Sequence, residues 1–373
     1  MAMLKSIHIQ GFKSIRDARV ELGRVNVLIG ANASGKSNLV AFFRMLSAIT
    51  HHRLQDHVPR FGGADAILRN GWSATASIRC QLAIDTNLAS EYRYSFRLEP
   101  TADGRLFFES ETFIRPMIGS GDFPPKREGG NRYESNFTFM AEGSQYNEPT
   151  RSALSICLST DVYVFHDTSL FSAIRQKSYL SDSAVLNWNG SNLAAVLHKF
   201  FKTKPAFYRR IVAAVRQVFP QFDDFVLEPE ALDPNSIRLN WRERGQDTLF
   251  GPHQFSDGTL RFIALATLLL QPEDELPKVI VIDEPELGLH PNAIAVLAAL
   301  IHKASHHSQL IVATQSVTLL DQFDPEEIIV VERDRVHNAT EFRRLDAPSL
   351  TGWLEEYTLG DLWRKNVIGG GPN

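Results

Sequence analysis

The stretch GANASGKSN, residues 30–38, decides the fold. Gly30, Gly35, Lys36 and Ser37 fit the pattern G-x-x-x-x-G-K-[ST] without deviation. In that pattern the glycines let backbone N–H groups turn inward around a phosphate, and the helix that follows points its positive end at the same anion. The lysine reaches the outer phosphate oxygens, and the serine hydroxyl ligates Mg²⁺. The pattern carries this chemistry only between a strand and a helix. Here RVNVLIG (24–30) is a nearly continuous apolar strand, and NLVAFFRMLSAI (38–49) has helical spacing. Gly30, Asn32, Ala33, Ser34, Gly35, Lys36, Ser37 and Asn38 are therefore the candidate phosphate-binding residues.

A second element, VIVIDEPELGLHP (279–291), places an acidic pair after four apolar residues. Asp283, at the carboxyl end of such a strand, would hold a water on Mg²⁺, and Glu284 would orient or deprotonate the attacking water. A solvated strand end is the plain alternative, but this strand is too apolar for an exposed edge. The third element, FSDGTLR (255–261), opens the helical run FIALATLLL with Ser256, Asp257 and Gly258. Two readings stay open. It is an ordinary N-cap, or Ser256 and Gly258 expose N–H groups to an anion. One chain with a single Lys36 loop has no use for a second such site on the same phosphate, so the anion would be the nucleotide of a neighbouring copy.

Outward from these motifs, LKSIHIQGF (4–12), ASIRCQLAI (76–84), EYRYSFRLEP (91–100), RLFFESETFI (105–114) and NRYESNFTFM (131–140) alternate apolar and polar positions. Tyr92, Tyr94, Phe96 and Leu98 opposed to Arg93, Ser95 and Arg97 describe an antiparallel meander with one wet face. MIGSGDFPPKREGGN (117–131) reads as an exposed loop and the best candidate for a disordered insertion. Helical patterning follows in NLAAVLHKFF and AFYRRIVAAVRQVF, where Phe207, Ile211, Val212, Val215 and Phe219 share a face. KVIVID, QLIVATQ and EIIVVER are apolar strands that would join the first strand in a mostly parallel core sheet. The expected organisation is one composite domain: residues 1–180 with the phosphate loop and meander, 181–275 helical, and 276–373 with the later strands.

The composition is that of a globular protein, 43% hydrophobic and 22% charged. No apolar run approaches a membrane span and no secretory signal opens the chain, so a cytoplasmic location is expected. Cys80 and Cys157 have no metal-ligand spacing and read as buried small residues. The histidines at 51, 52, 57, 302, 306 and 307 read as solvated. A formal charge of −4 excludes a generally basic coat, so any polyanion site is local.

The order GANASGKSN, FSDGTLR, VIVIDEPELGLHP and VATQS resembles the ABC-type ATPases of the RecF, SMC and OLD group. It is most similar to that group's compact stand-alone AAA-family ATPases, which have neither coiled coil nor Toprim domain. IHIQGFKSIRD (7–17) and YTLGDLWRKNVIGGGP (357–372) are similar too, so the resemblance covers nearly the whole chain. It implies an α/β fold, the P-loop NTPase core of an ABC-ATPase head, with an antiparallel β meander lobe and a helical signature lobe. It also implies ATP and Mg²⁺ as cofactors and a head-to-head dimer that sandwiches ATP. Carried over by residue, Gly30, Gly35, Lys36 and Ser37 match the Walker A loop, and Ser256 with Gly258 match the signature that caps the partner's γ-phosphate. Asp283 and Glu284 match the Walker B aspartate and catalytic glutamate, and Leu287 to His290 occupies the D-loop region. At the switch position many relatives have histidine and this chain has Gln315, which can hydrogen-bond but carries no charge. The Q-loop residue is not placed; Gln81 reads more simply as solvent-facing.

What the ATPase acts on is less legible. The absence of heptads removes a long coiled arm, and the absence of a DxD pair after the ATPase motifs predicts no nuclease of its own, so any nucleolytic output would need a second protein, a separate nuclease or effector. Lys199, Lys202, Arg209 and Arg216 lie in a stretch, 198–217, without an acidic residue. That stretch reads as a DNA-facing surface, a docking face for an acidic partner, or a solvated helix side. By resemblance the roles are DNA repair or defence against phages. Two other readings are a low-turnover ATP-dependent regulator, for which Gln315 speaks, and a transporter nucleotide-binding subunit. Asn32, Asn38, the meander and the lack of a coupling segment speak against the latter.

Overall fold

The computed structural model describes residues 2–86, 91–114, 128–137 and 148–371. Its centre is a six-stranded sheet made of β3 (Val25–Ile29), β8 (Thr160–Tyr163), β15 (Val279–Asp283), β16 (Gln309–Thr314), β17 (Ile328–Asp334) and β18 (Ala339–Arg344). The order is β18-β17-β3-β16-β15-β8, parallel throughout except for the β17–β18 hairpin. All five residues of β3 are buried, because a central parallel strand is covered on both faces and has no wet side to alternate with. The core strand is thus β3. The chain's first strand, β1 (Met3–Phe12), belongs elsewhere.

That second sheet runs β2-β1-β4-β5-β6-β7, with β2 (Ile15–Glu21), β4 (Ile78–Asp85), β5 (Tyr92–Pro100), β6 (Leu106–Ile114) and β7 (Glu128–Arg132). All its pairings are antiparallel. In β5, Tyr92, Tyr94, Phe96 and Leu98 are buried while Arg93 points out, the expected alternation. The expected strand 131–140 departs from the structure. Only its first two residues pair, and the described remainder, Tyr133–Phe137, leaves the sheet. Glu134 accepts the backbone N–H groups of Leu54 and Gln55, and Phe137 buries its ring 4.6 Å from Tyr94, so tertiary partners win over the alternation. Of the proposed insertion, residues 117–127 lie outside the described residues, and Glu128–Asn131 are in β7.

Period-two alternation splits the central sheet between two cores. Leu28, Val281, Ile311 and Val331 face helix α1 (Lys36–Thr50) and the antiparallel sheet. Val27, Ile29, Ile280, Val312 and Val330 face the helices Leu193–Thr203, Pro205–Val218, Asp257–Leu269 and Pro291–Ala304. Gln309, fully buried, ties the sheets together: its side chain accepts from Leu4 N at 2.9 Å and donates to Leu4 O and Gly23 O at 2.7 Å. A buried amide satisfied this fully fixes register as well as adding stability. Cys80 and Cys157 are both buried.

In Pro205–Val218, Ile211, Val212 and Val215 are buried as patterned, joined by Tyr208 and Ala214, while Phe207 and Phe219 are half-buried. Around that helix, mostly between it and Ser256, the chain adds two small antiparallel sheets, one of which takes a strand from before the helix. They contain β9 (Ser178–Tyr179), β10 (Phe222–Val226), β11 (Pro229–Glu230), β12 (Asp233–Ile237), β13 (Asn240–Glu243) and β14 (Leu249–Phe250). Trp241 on β13 stacks 4.6 Å from Phe255 and 4.7 Å from Phe250, so these sheets brace the segment just before Ser256.

Candidate nucleotide site

Because β3, β15 and β16 run parallel in one sheet, their carboxyl ends deliver three loops to one edge. Ile29 pairs with Thr314 and Asp283 with Ala313, so the glycine loop, the acidic pair and Gln315 emerge side by side. Such an edge is where ligands bind in open parallel sheets.

The loop is built to hold backbone rather than side chains. A Cβ on Gly30 would run into the carbonyl oxygen of Val331, and would lie 2.7 Å from Ser34 Oγ. Gly35 has φ +116°, and Thr340 fills the space a Cβ would need. Ala33 sits at φ +64°, a strained conformation that the surrounding fold must hold. Helix α1 then starts at Lys36 with no side-chain cap and no acidic residue in its first turn. Its free N–H groups and its dipole favour an anion there.

Lys36 is buried and donates from Nζ to Gly30 O (2.5 Å) and Ala31 O (3.1 Å). Burial holds its pKa below the usual lysine value, and the carboxylates of Glu284, Asp283 and Glu286 oppose that shift. A cleft of about 220 Å³ is lined by Asn32, Ala33, Gly35, Lys36, Ser37, Asn38 and, from other loops, Gln315 and Arg333. Asn38 is also committed to the fold. Its amide donates to Ser14 Oγ at 2.5 Å, and the Ser14 hydroxyl meets Thr340 Oγ1 at 2.6 Å. Thr340 in turn donates to Ser34 O at 2.9 Å.

Burial pushes the Asp283 carboxyl above its ordinary value; Glu284 adds to this, while His166, Arg44 and Lys36 pull it down. Glu284 adopts φ +42° and donates its N–H to Ala313 O at 2.7 Å. Its Oε1 accepts from Gln315 Nε2 at 2.5 Å. Ser37 and Asp283 offer a hydroxyl and a carboxylate, hard oxygen donors of the kind Mg²⁺ takes. The glycine cradle leaves room for phosphate oxygens beside them, so the residues present fit a Mg²⁺–nucleotide.

Ser256 and Gly258 do not line this cleft. Ser256 caps the helix Asp257–Leu269, its Oγ accepting from Thr259 N at 3.1 Å. Gly258 packs against the carbonyl of Gly288, so close that a Cβ would overlap it. Buried Arg175 holds the preceding turn through Pro252 O (2.5 Å) and Phe255 O (3.1 Å), and pairs with Asp257 at 2.7 Å. Arg261 donates to Phe165 O (2.9 Å), His166 O (3.0 Å) and Leu287 O. This helix start, the loop after Glu284 and the segment after β8 are therefore one braced unit.

Several residues here carried no sequence signal. His166, just beyond β8, donates from Nε2 to Asp283 O at 2.9 Å. Gln81 stands instead on the outer face of the antiparallel sheet, beside His8 and Arg79. Glu286 is buried; it accepts from Thr314 Oγ1 (2.5 Å) and Gln315 N (3.2 Å), while its Oε2 has no partner among the described residues. Burial raises its pKa. Arg333 reaches the loop at Ala33 O, 3.4 Å away. Of the basic stretch, Lys199 pairs with Glu275 at 2.7 Å and Arg216 with Asp223 at 3.3 Å. Those acids come from outside residues 198–217, so half of the expected positive face is neutralised. Lys202 and Arg209 are exposed.

A glycine cradle at an uncapped helix start, facing a strand-end acidic pair across a parallel sheet, defines the class: a P-loop ATPase. A family profile described as "AAA domain, putative AbiEii toxin, Type IV TA system" matches residues 25–321, from the start of β3 to just past the Gln315 turn. The chain belongs to this family. A segment of 95 residues is 30% identical to the DNA replication and repair protein RecF of Bifidobacterium longum subsp. infantis. That match takes in 26% of this chain and spans only 21% of that relative's length.

Among solved structures, the Smc head domain with an extended coiled coil, bound to the C-terminal domain of ScpA, from Pyrococcus furiosus, aligns with TM-score 0.63 and 14% identity. It covers 95% of this chain and 99% of that one. The SmcHead bound to the C-winged helix domain of ScpA gives 0.59 at 15% identity, covering 94% and 99%. At these identities the likeness is one of fold. Among the described residues no helix is long and apolar enough to cross a membrane.

Proposed function

We propose that this chain is an ATP-driven dimeric switch of the cytoplasm. One copy binds ATP with Mg²⁺ through Gly30, Asn32, Ala33, Ser34, Gly35, Lys36, Ser37 and Asn38. A second copy presents Ser256 and Gly258 to the same nucleotide. The carrying observation is the contrast in placement: the Lys36 helix start lines a cleft with Gln315 and Arg333, whereas the Ser256 helix start lies away from it. A helix start with Ser256 and Asp257 exposed, Gly258 buried behind them, and no anion to serve in its own chain is what a composite site would supply to a neighbour.

In this reading Ser37 and Asp283 hold Mg²⁺, which would neutralise phosphate charge when bound. Lys36, in its low-dielectric seat, stabilises charge developing on the transferred phosphate. Glu284 accepts the proton of the attacking water, and Gln315 fixes the orientation of that carboxylate. ATP shared between two copies shifts them toward the closed pair, and hydrolysis releases it. The cycle then controls DNA engagement, with Lys202 and Arg209 more available than Lys199 and Arg216, or a separate effector such as a nuclease. The RecF relative's role in DNA replication and repair supports the first output. The family description, which names a toxin–antitoxin system, supports a defence output.

A second reading has its own observation. Gln315 is uncharged and its amide is engaged by Glu284, which favours a slow or arrested ATPase acting as a regulator. Phosphate release and molecular mass with and without ATP, for wild type and Glu284→Gln, separate the readings. The expected result is turnover reduced about 10²–10⁴-fold with ATP binding kept, and a dimer that accumulates with ATP. A Glu284→Gln protein that stays monomeric with ATP removes the sandwich mechanism. A wild type that releases no phosphate, with or without DNA, leaves the regulator.

A further inference from the structure

The far half of α1 borders a second cavity, which shares no lining residue with the nucleotide cleft. It measures about 480 Å³ and lies between α1, α2 (Leu54–Arg60), the edge strand β8 and the turn at 185–188. That volume is in the range of small-molecule sites, roughly 300–1,000 Å³.

Arg44 projects from α1 into this space. It is half-buried, and its guanidinium lies 5.5 Å from the Trp188 ring and 5.9 Å from the Phe61 ring. Among the described residues no carboxylate lies in ion-pair contact with it, or with Arg53 or Arg60, which line the same cavity, although Asp283 attracts Arg44 and Asp161 attracts Arg53 from farther off. A partly desolvated guanidinium with no anion in hydrogen-bond contact is costly, and its planar donors match a phosphate. Trp188 is 56% exposed, an unusual degree for a tryptophan held beside a strand, since its carbonyl accepts from Val164 N at 2.9 Å. His57 stacks on Phe61 at 4.3 Å. Burial, with Arg44, Lys13 and Arg60 nearby, lowers its pKa to about 4, so it faces the cavity as a neutral ring.

The lining also includes two acids, Asp56 and Asp161. They narrow the ligand class. A bare phosphate would use the arginines and leave the tryptophan and the acids idle, whereas an acyl chain would use neither charge. A ligand with a phosphate, a planar base and hydroxyl or amino donors uses all three. We propose that this cavity is a second ligand site, taking a nucleoside 5′-monophosphate with its phosphate against Arg44, Arg53 and Arg60 and its base on Trp188. The site stands independently of the proposed ATP cycle. It is joined to that cycle by α1, which carries Lys36 at one end and Arg44 two turns on, and by the attraction between Arg44 and Asp283.

The test uses the full chain carrying Lys36→Ala, so that the phosphate loop contributes nothing, and calorimetry with AMP, GMP, CMP and UMP. At least one should bind, and Arg44→Gln or Trp188→Leu added to that background should weaken it at least about tenfold, roughly 1.4 kcal/mol. Arg53→Gln, on an exposed residue whose loss leaves the core untouched, should weaken it as well. Absence of binding by all four overturns the proposal. So does binding that the Arg44 and Arg53 variants leave unchanged. A 5′-phosphorylated oligonucleotide that binds more tightly than every mononucleotide, through Arg44, would make this a strand-end site and overturn the free-nucleotide assignment.

Discussion

The starts of two helices, at Lys36 and at Ser256, look alike in sequence: each has serine and glycine before an apolar run. In three dimensions they are opposites. The first has no side-chain cap and no acid in its opening turn, and its glycines are shaped by Val331 and Thr340 around a cleft. The second caps itself through Ser256 Oγ, carries Asp257, and spends its glycine on contact with Gly288. A helix start that leaves its donors free is built for a ligand, and one that satisfies a donor itself can stand in water until a partner arrives. Arg175 and Arg261 brace the second start from behind, as the proposed composite site requires of a surface that would hold its shape before another copy meets it.

The comparison breaks most severely at Lys36. Lys36→Ala is expected to weaken ATP binding or turnover by about 10²–10³-fold, measured by equilibrium binding and phosphate release, with little change in melting temperature. Equal activity in that variant would mean the uncapped start does not serve phosphate.

Next in size is Gly258→Ala, whose added methyl must displace the Gly288 backbone. Overpacking of this kind costs about 1–3 kcal/mol, visible in thermal melting. ATP binding by the isolated copy should survive while ATP-dependent dimer formation is lost. If the dimer persists, the Gly258–Gly288 contact is packing only.

Glu286 links the loop after β15 to the loop after β16, and it sharpens the comparison from the other side. Glu286→Ala would leave Thr314 and Gln315 without their acceptor, at about 1–3 kcal/mol, whereas Glu286→Gln keeps an acceptor and removes the charge. Because burial raises this carboxyl, the folded chain binds its proton more tightly than the unfolded chain does. Its contribution is therefore fullest below the ordinary value of 4.5 and is lost as pH rises through the raised one. The Glu286→Gln protein should gain on wild type as melting is followed from about pH 4 to about pH 8. A pH-independent difference would mean the group does not titrate there.

The smallest effect is expected at Ser256→Ala, about 1 kcal/mol from the lost cap. A loss of ATP-dependent dimerisation larger than that stability change would assign Ser256 a role beyond its own helix.

Much of the central sheet was legible because its strands are buried on both faces and so appear as apolar runs, VIVI, LIVA and IIVV unbroken and VNVLI interrupted only by the buried Asn26. The meander was legible because one wet face forces alternation, as Tyr92 to Leu98 displays. Alternation failed at 131–140, where Glu134 and Phe137 find partners on α2 and β5 that no local pattern encodes. The small strands between Phe222 and Phe250 were missed for the same reason: two to five residues give too short a period to read. At the site, residues with fixed motif spacing could be named in advance. His166, Arg333 and Thr340 could not, since each reaches the cleft or its neighbours from a loop or strand distant in sequence. Glu286, though inside the acidic motif, takes its role from Thr314 and Gln315 on another strand and loop.

By itself, the sequence determined the order strand, glycine loop, helix, and the carboxylates that answer it, because phosphate chemistry restricts residue type at fixed local spacing. Tertiary structure alone decided what Asn38 holds, why Gly258 must be glycine, and which of the basic side chains between His198 and Gln217 keep their charge exposed. Each depends on a contact across the fold, and such contacts are set by how sheets and helices pack rather than by any neighbour along the chain.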